Sequence, residues 1–275
     1  MRLTAFAPLI GALLTLAACE DTAVSIGVDK TAPTPEKAQA FVKDAEDRSA
    51  KLGEEAARVF WINANFITHD SNWLAAKQSE RMTKLGVDLA QEARTYDGIE
   101  GLDDDTRRKL MLLKEGLTLP APAGDEEATA ELASITTELQ SMYGTGAVDG
   151  QTLGDLTDIM ADSRDYDALL DAWTGWRTIS PPMKDMYRRM VDIANQGSEG
   201  LGYADTGALW RAKYDMPADA FADDVDRLWG EVKPLYDALH CHVRAKLGEQ
   251  YGTDRVPQDG PIPAHLLGNM WAQQW

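Results

Sequence analysis

The sequence lacks the residue clusters by which several large classes of protein are recognised. Only two of its 275 residues are cysteines, Cys19 and Cys241, which is too few for a disulfide framework. Lysine and arginine total 27 against 45 aspartate and glutamate, the formal charge is −18, and no basic cluster is visible. Because phosphate groups are bound by clustered Lys and Arg, we expect no nucleic-acid partner. We interpret the acidity as a source of solubility in an exported protein.

Motifs that would complete a catalytic site are also missing. The chain contains no H-E-x-x-H zinc motif, no G-x-S-x-G nucleophile elbow and no phosphate-binding loop. Its four histidines are His69, His240, His242 and His265. On a helix His240 and His242 would point about 200° apart, so they cannot share one ion. We expect a solvated or capping role for His69, a core position with a satisfied ring nitrogen for His265, and no zinc site from this chain alone.

No run of alternating polar and apolar residues reaches the length of a strand, whereas apolar residues recur every three or four positions. The sequence therefore predicts a mostly α fold. Two long helices should lie between residues 35 and 93, with a turn near 69–72. Further helices are predicted over 103–117, 125–143, 155–161, 165–178 and 183–196, with residues 203–214 helical or irregular.

Glycine and proline set the remaining boundaries. Gly197 should end the helix that begins at residue 183, and Pro234 should kink or divide a long amphipathic segment over 218–247. Residues 144–154 should be a loop, and residues 248–263 should be a loop or a short extended piece. Residues 264–275 carry apolar side chains at helical spacing, which predicts a buried helix.

The first 22 residues have the organisation of an export signal. Arg2 gives a basic start, residues 5–17 form a short apolar run, and Leu16-Ala17-Ala18-Cys19 follows at once. This resembles the bacterial lipoprotein signal, in which the segment before the cysteine is removed and the thiol is acylated. We expect residues 1–18 to be a signal peptide, Cys19 to be a lipid anchor in the cell envelope, and 19–36 to be a tether. The alternative is an ordinary secretory signal with a chance cysteine. In either case Cys241 is left as a single thiol, which we expect to be a buried small apolar residue rather than a nucleophile.

Two clusters place an arginine beside aromatic residues. Trp173-Thr174-Gly175-Trp176-Arg177 is one, and Trp210-Arg211 with Tyr214 is the other. Core aromatics with cation–π contacts are one interpretation. An anion site is the other, because a guanidinium framed by indole N–H groups offers several donors in a dry setting.

Several separated stretches, in the right order, resemble the angiotensin-converting enzyme, or peptidyl-dipeptidase A, family of zinc metallopeptidases. They are Ser163-Arg164-Asp165-Tyr166, Trp173 to Arg177, Gly202 to Gly207 with Trp210-Arg211, Leu228 to Tyr236, and Gly260 to Trp275. The resemblance covers most of the chain from about residue 36 and is strongest after residue 155. It implies that residues 37–275 are the N-terminal portion of a two-lobed, mostly helical domain with a deep central cleft.

The resemblance also implies an activity and roles for particular residues. Family members remove C-terminal dipeptides from oligopeptides with a zinc-activated water; the zinc site would lie downstream of this chain, which we therefore expect to be truncated and inactive by itself. Gln273 would donate to the substrate's C-terminal carboxylate, with Gln274 near the same pocket. Arg177 would bind a chloride ion and Tyr214 would lie near a second one, with the remaining chloride ligands downstream of this chain. Leu153 stands where several members have an acidic residue, so a preference for basic substrates is not implied.

A hypothesis from another class stays open: a non-catalytic, exported helical lipoprotein that acts as a binding or interaction module. An open reading frame encoding H-E-x-x-H after the Trp275 codon would favour the enzyme, and a stop codon the module. Under the enzyme hypothesis, a chain that ends on Trp271 and Trp275 should leave an apolar face uncovered.

Overall fold

A computed structural model describes residues 32–273 of the chain. Helices dominate this range, as the sequence predicts, and the only strands in it are a pair of two residues each. The helices are Pro35–Asn65 (α1), His69–Arg94 (α2), Asp104–Glu115 (α3), Glu126–Gly144 (α4), Leu153–Asp162 (α5), Tyr166–Trp176 (α6), Lys184–Gly200 (α7), Thr206–Ala212 (α8) and Ala218–Tyr251 (α9). The strands are Ala147–Val148 (β1) and Gln151–Thr152 (β2), and 3₁₀ turns span Pro181–Met183 and Ala264–Leu266.

Short polar side chains begin most of the helices. The Thr68 and Ser71 side chains each accept from the other's backbone N–H, which forms a capping box at the start of α2. Asp103 caps α3 by accepting from the Thr106 N–H at 2.8 Å. That hydrogen bond, with a second from the Gln39 side chain, lowers the pKa of Asp103 to about 2. Such caps satisfy N–H groups that have no partner inside the helix, and they fix each boundary.

Helix α2 packs against α1, α3 and α4, and α4 packs in turn against α7. A separate apolar cluster joins α5, α6 and the segment after α9; its buried members are Leu156, Met160, Leu169, Ala172, Trp176, Val256, Leu266 and Met270. This apolar cluster fixes the C-terminal segment, residues 264–273, against α6.

The C-terminal segment is not the helix that its apolar spacing predicts. After the 3₁₀ turn the chain passes through Gly268 at φ 74° and Ala272 at φ 54°. Left-handed backbone at these two positions breaks the i to i−4 hydrogen-bond pattern. Leu266 and Met270 are nevertheless buried, because the tight turns place both side chains in the apolar cluster with α5 and α6.

Two further boundaries differ from prediction. Helix α7 continues through Gly197 to Gly200, since this glycine allows close packing rather than a stop: a Cβ there would lie 2.3 Å from the Pro120 carbonyl oxygen. Helix α9 runs unbroken past Pro234 to Tyr251, so the proline does not divide it. One missing hydrogen bond is tolerated in so long a helix.

The predicted loop over 144–154 contains a small hairpin. Strands β1 and β2 pair antiparallel, Ala147 opposite Thr152 and Val148 opposite Gln151. Asp149 and Gly150 connect them with φ of 51° and 82°. Two positive φ values match a type I′ turn, for which Asp-Gly is a favoured sequence.

The middle of α9 stands away from the rest of the described chain. Residues 225–239 are exposed on every side of the helix, and Leu235 is 72% exposed. Its apolar residues recur at intervals of three and four; they are Val225, Leu228, Trp229, Val232, Leu235, Tyr236 and Leu239. An uncovered apolar surface is therefore present, on α9 as well as at Trp271, which is 55% exposed. Within residues 32–273 no helix combines the length and hydrophobicity that crossing a bilayer requires.

Candidate functional site

The C-terminal segment is held in place by its own side chains. Asn269 is buried, and its side-chain oxygen accepts hydrogen bonds from the backbone N–H of Trp271 at 2.9 Å and of Gln273 at 3.4 Å. These bonds shape the turn around Ala272. The Gln273 side chain is exposed beside Trp271. A fixed backbone thus presents an amide side chain to solvent.

Arg177 connects this segment to α6. It follows the last residue of α6, and its guanidinium donates to the Met270 carbonyl oxygen. The same guanidinium lies 4.3 Å from the centre of the Trp173 ring, which is the cation–π contact of the first interpretation. The Trp173 Nε1 is buried without a hydrogen-bond partner. Buried N–H groups are nearly always paired, so this indole N–H is a donor that remains available to a ligand beside Arg177.

Tyr214 lies elsewhere, just after α8. Its ring is exposed and stacks on Phe221 with centroids 3.9 Å apart. Nearby, Trp210 donates to the Thr118 carbonyl oxygen at 2.7 Å, and the Arg211 Nε is buried without a partner. No hydrogen bond or ring contact among the described residues joins Tyr214 to Arg177.

His265 is buried, as predicted, but its ring nitrogen is not satisfied. The side chain is 5% exposed and meets the Tyr166 ring edge-on, with centroids 4.6 Å apart. Its Nε2 has no partner. Burial lowers the pKa of His265, and the carboxylate of Asp167 acts in the opposite direction. The expectation of a satisfied ring nitrogen is therefore not met at Nε2, which is buried without a hydrogen-bond partner among the described residues.

The described residues do not fit a zinc centre. No three His, Cys, Asp or Glu side chains within residues 32–273 converge as metal ligands. His69 is exposed beside Asp70, and His240 accepts from the Arg244 guanidinium at 2.9 Å. Cys241 is exposed, which corrects the prediction of a buried thiol: it lies on α9 just beyond the exposed residues 225–239.

Two predicted site residues, Cys19 and Gln274, lie outside the residues that the structure describes, as does Trp275. Leu153 begins α5 and packs against the cluster that holds Met270. Sequence reasoning overlooked Asn269, although Gly-Asn is a turn signal that could have drawn attention to it.

Comparison with known proteins assigns this architecture to a family. The family model described as angiotensin-converting enzyme, peptidase M2, matches residues 32–275. The angiotensin-converting enzyme of Oryctolagus cuniculus is 40% identical over 256 residues, covering 90% of this chain and 19% of that protein. The Bos taurus enzyme is 32% identical over the same shares of both chains. The Theromyzon tessulatum enzyme is 31% identical over 88% of this chain and 40% of its own length.

The chain thus spans a fifth to two fifths of the length of these relatives. The match runs through all of the described helices and through the segment that carries Asn269 and Gln273. The chain belongs to the angiotensin-converting enzyme family of zinc metallopeptidases.

Proposed function

We propose that this chain forms one wall of the peptide pocket of a peptidyl-dipeptidase, within a two-lobed domain, and that Gln273 donates its side-chain amide to the C-terminal carboxylate of an oligopeptide. The observation that carries the proposal is the exposed Gln273 on a backbone fixed by Asn269. An amide held by a rigid backbone loses little entropy when it binds a carboxylate. Gln274 follows directly and would extend the same wall.

By itself the chain should not hydrolyse peptides. Its sequence contains no H-E-x-x-H motif, and no set of zinc ligands converges among residues 32–273. We propose that the metal is held by residues that this chain does not contain. The test is dipeptide release from an oligopeptide by the purified chain with added zinc. We expect none, and chelator-sensitive turnover would refute this part of the proposal.

Carboxylate recognition can be tested directly. The side-chain amide signals of Gln273 should shift in NMR spectra on titration with a dipeptide, and they should not respond to the same dipeptide with its C-terminus amidated. A Gln273→Glu variant keeps the size of the side chain but repels a carboxylate, so the dipeptide should no longer bind there. Equal responses to acid and amide would contradict the assigned role.

We also propose an anion site at Arg177, supported by the unpaired Trp173 Nε1 beside its guanidinium. Chloride would accept from both groups. Addition of chloride should change the tryptophan fluorescence of the chain, and Arg177→Gln should abolish the change. A response that survives this substitution would rule the site out. Tyr214 would belong to a second site whose other ligands this chain does not supply.

For localisation we propose export to the bacterial cell envelope and anchoring to a membrane through acylated Cys19. The Leu-Ala-Ala-Cys sequence after a short apolar run supports this. Expression in a bacterium, followed by mass spectrometry of the N-terminal peptide, should show cleavage before Cys19 and an acyl mass. Cys19→Ser should leave that peptide unacylated. An unmodified thiol in the mature wild-type chain would contradict the anchor.

One observation favours the second candidate, a non-catalytic binding module: the exposed apolar residues of α9 offer a surface for another helix. The two functions differ in what Gln273 does. The binding module is the better description if substitution of Gln273 leaves dipeptide binding and partner binding unchanged while substitutions on α9 abolish binding of a partner.

A further inference from the structure

A cavity of about 720 Å³ lies between α5, α6, α9 and the C-terminal segment. Four apolar residues that line it, Met160, Leu169, Val243 and Leu266, are buried and form its floor. Volumes of this size are typical of pockets that hold small organic ligands. The floor gives such a ligand an apolar surface to cover.

The permanently charged side chains that line the cavity are both basic. Arg164 and Lys246 line it and are exposed, and no aspartate or glutamate is among the lining residues. This is unusual in a chain whose formal charge is −18. Two basic side chains at the rim favour an anion over a cation as the ligand of this cavity.

The two permanent charges at the rim are available to a ligand. Arg164 donates through Nη1 to the carbonyl oxygens of Ala161 and Ser163, which holds the guanidinium at the mouth of the cavity. Lys246 pairs with Glu249 at 2.8 Å, and both side chains are mostly exposed. Exposed pairs at this spacing contribute little, so a bound anion competes easily for the lysine.

We propose that this cavity binds an aliphatic carboxylate, a medium-chain fatty acid, with the acyl chain on the apolar floor and the carboxylate between Arg164 and Lys246. A peptide fits less well, because each buried amide would need a hydrogen-bond partner and the four floor side chains offer none. An acyl chain has only one polar group to satisfy, and the basic rim satisfies it. This inference is independent of the function proposed for Gln273.

The experiment is calorimetric titration of the full chain with decanoate below its micellar concentration, with decanol as the uncharged counterpart. We expect saturable binding at one site, with decanol weaker. Arg164→Gln and Lys246→Gln should each weaken binding about threefold, as expected for partly exposed ion pairs, and together by about tenfold. Both residues are on the surface, so these variants should fold.

Two matched control variants test whether the decanoate binds in the cavity and not elsewhere on the surface. Lys77→Gln removes one exposed positive charge from α2, far along the chain from the cavity, and should leave decanoate affinity unchanged. Leu235→Ser removes the most exposed apolar side chain of α9, which does not line the cavity, and should also have no effect. The proposal is overturned if decanoate does not bind, if decanol binds equally well, or if the Leu235 variant loses as much affinity as the rim variants.

Discussion

Replacing His265 should remove a step in the dependence of stability on pH. The folded protein buries this side chain, leaves its Nε2 unpaired, and thereby lowers its pKa below the ordinary 6.5. Below pH 6.5 the unfolded chain binds a proton that the folded chain does not. The free energy of unfolding therefore falls as the pH falls through this range. His265→Phe keeps an aromatic ring against Tyr166 and has no proton to bind.

The size of the step has an upper limit. One bound proton gives a slope of at most about 1.4 kcal/mol per pH unit. Between pH 7.5 and 5.5 the unfolded imidazole, with its ordinary pKa of 6.5, is on average half-protonated. Over these two pH units wild type should therefore lose no more than about 1.4 kcal/mol through this group. The attraction of Asp167 for the imidazolium makes the loss smaller. At pH 7.5 the phenylalanine variant should be as stable or more stable, by roughly 1 kcal/mol, because it no longer buries an unpaired nitrogen.

The measurement is guanidinium unfolding followed by circular dichroism at pH 7.5, 6.5 and 5.5, for wild type, for His265→Phe and for a control variant, His69→Phe. Most carboxylates titrate below this window, and their effects cancel in the difference between variants. His69→Phe is the matched control, because His69 is almost fully exposed and should leave the step intact. If His265→Phe retains the wild-type dependence on pH, the buried imidazole is not its cause. The protection of amides 264–273 against hydrogen exchange, corrected for the intrinsic pH dependence of exchange, should fall at pH 5.5 in wild type and in His69→Phe but not in His265→Phe.

Four other substitutions test the packing. Gly197→Ala should cost about 3 kcal/mol or more, because its Cβ meets the backbone of Pro120, whereas Gly53→Ala, with open space around it, should gain up to about 1 kcal/mol; denaturant unfolding would show both. Leu235→Ser should reduce the fluorescence of a bound apolar dye and slow aggregation, and unchanged dye binding would mean that α9 is covered in solution. Asn269→Ala should cost about 1–2 kcal/mol and speed amide exchange in the turn that follows, and unchanged exchange there would show that the turn does not depend on the side chain.

The helices could be predicted from sequence because their information is local. Apolar spacing and capping residues such as Thr68 and Asp103 lie within a few positions of the structure they specify. The prediction for Gly197 is wrong because the reason for this glycine is distant: it makes room for the backbone of Pro120, some 77 positions earlier in the chain. Close approach between elements leaves no local signal that separates such a glycine from a helix stop.

The candidate site shows the same division between local and distant causes. Residues 264–273 carry the spacing of a helix, and the burial that the spacing predicts for Leu266 and Met270 is present, yet the backbone turns. The spacing therefore predicts which side chains are buried, but it does not predict the backbone conformation that buries them. Two kinds of hydrogen bond hold the backbone that presents Gln273 to solvent. The backbone N–H groups of Trp271 and Gln273 donate to the Asn269 side-chain oxygen, and the Arg177 guanidinium donates to the Met270 carbonyl oxygen. Each of these is a tertiary or turn interaction, so the position of the predicted binding residue follows from the fold rather than from helical periodicity.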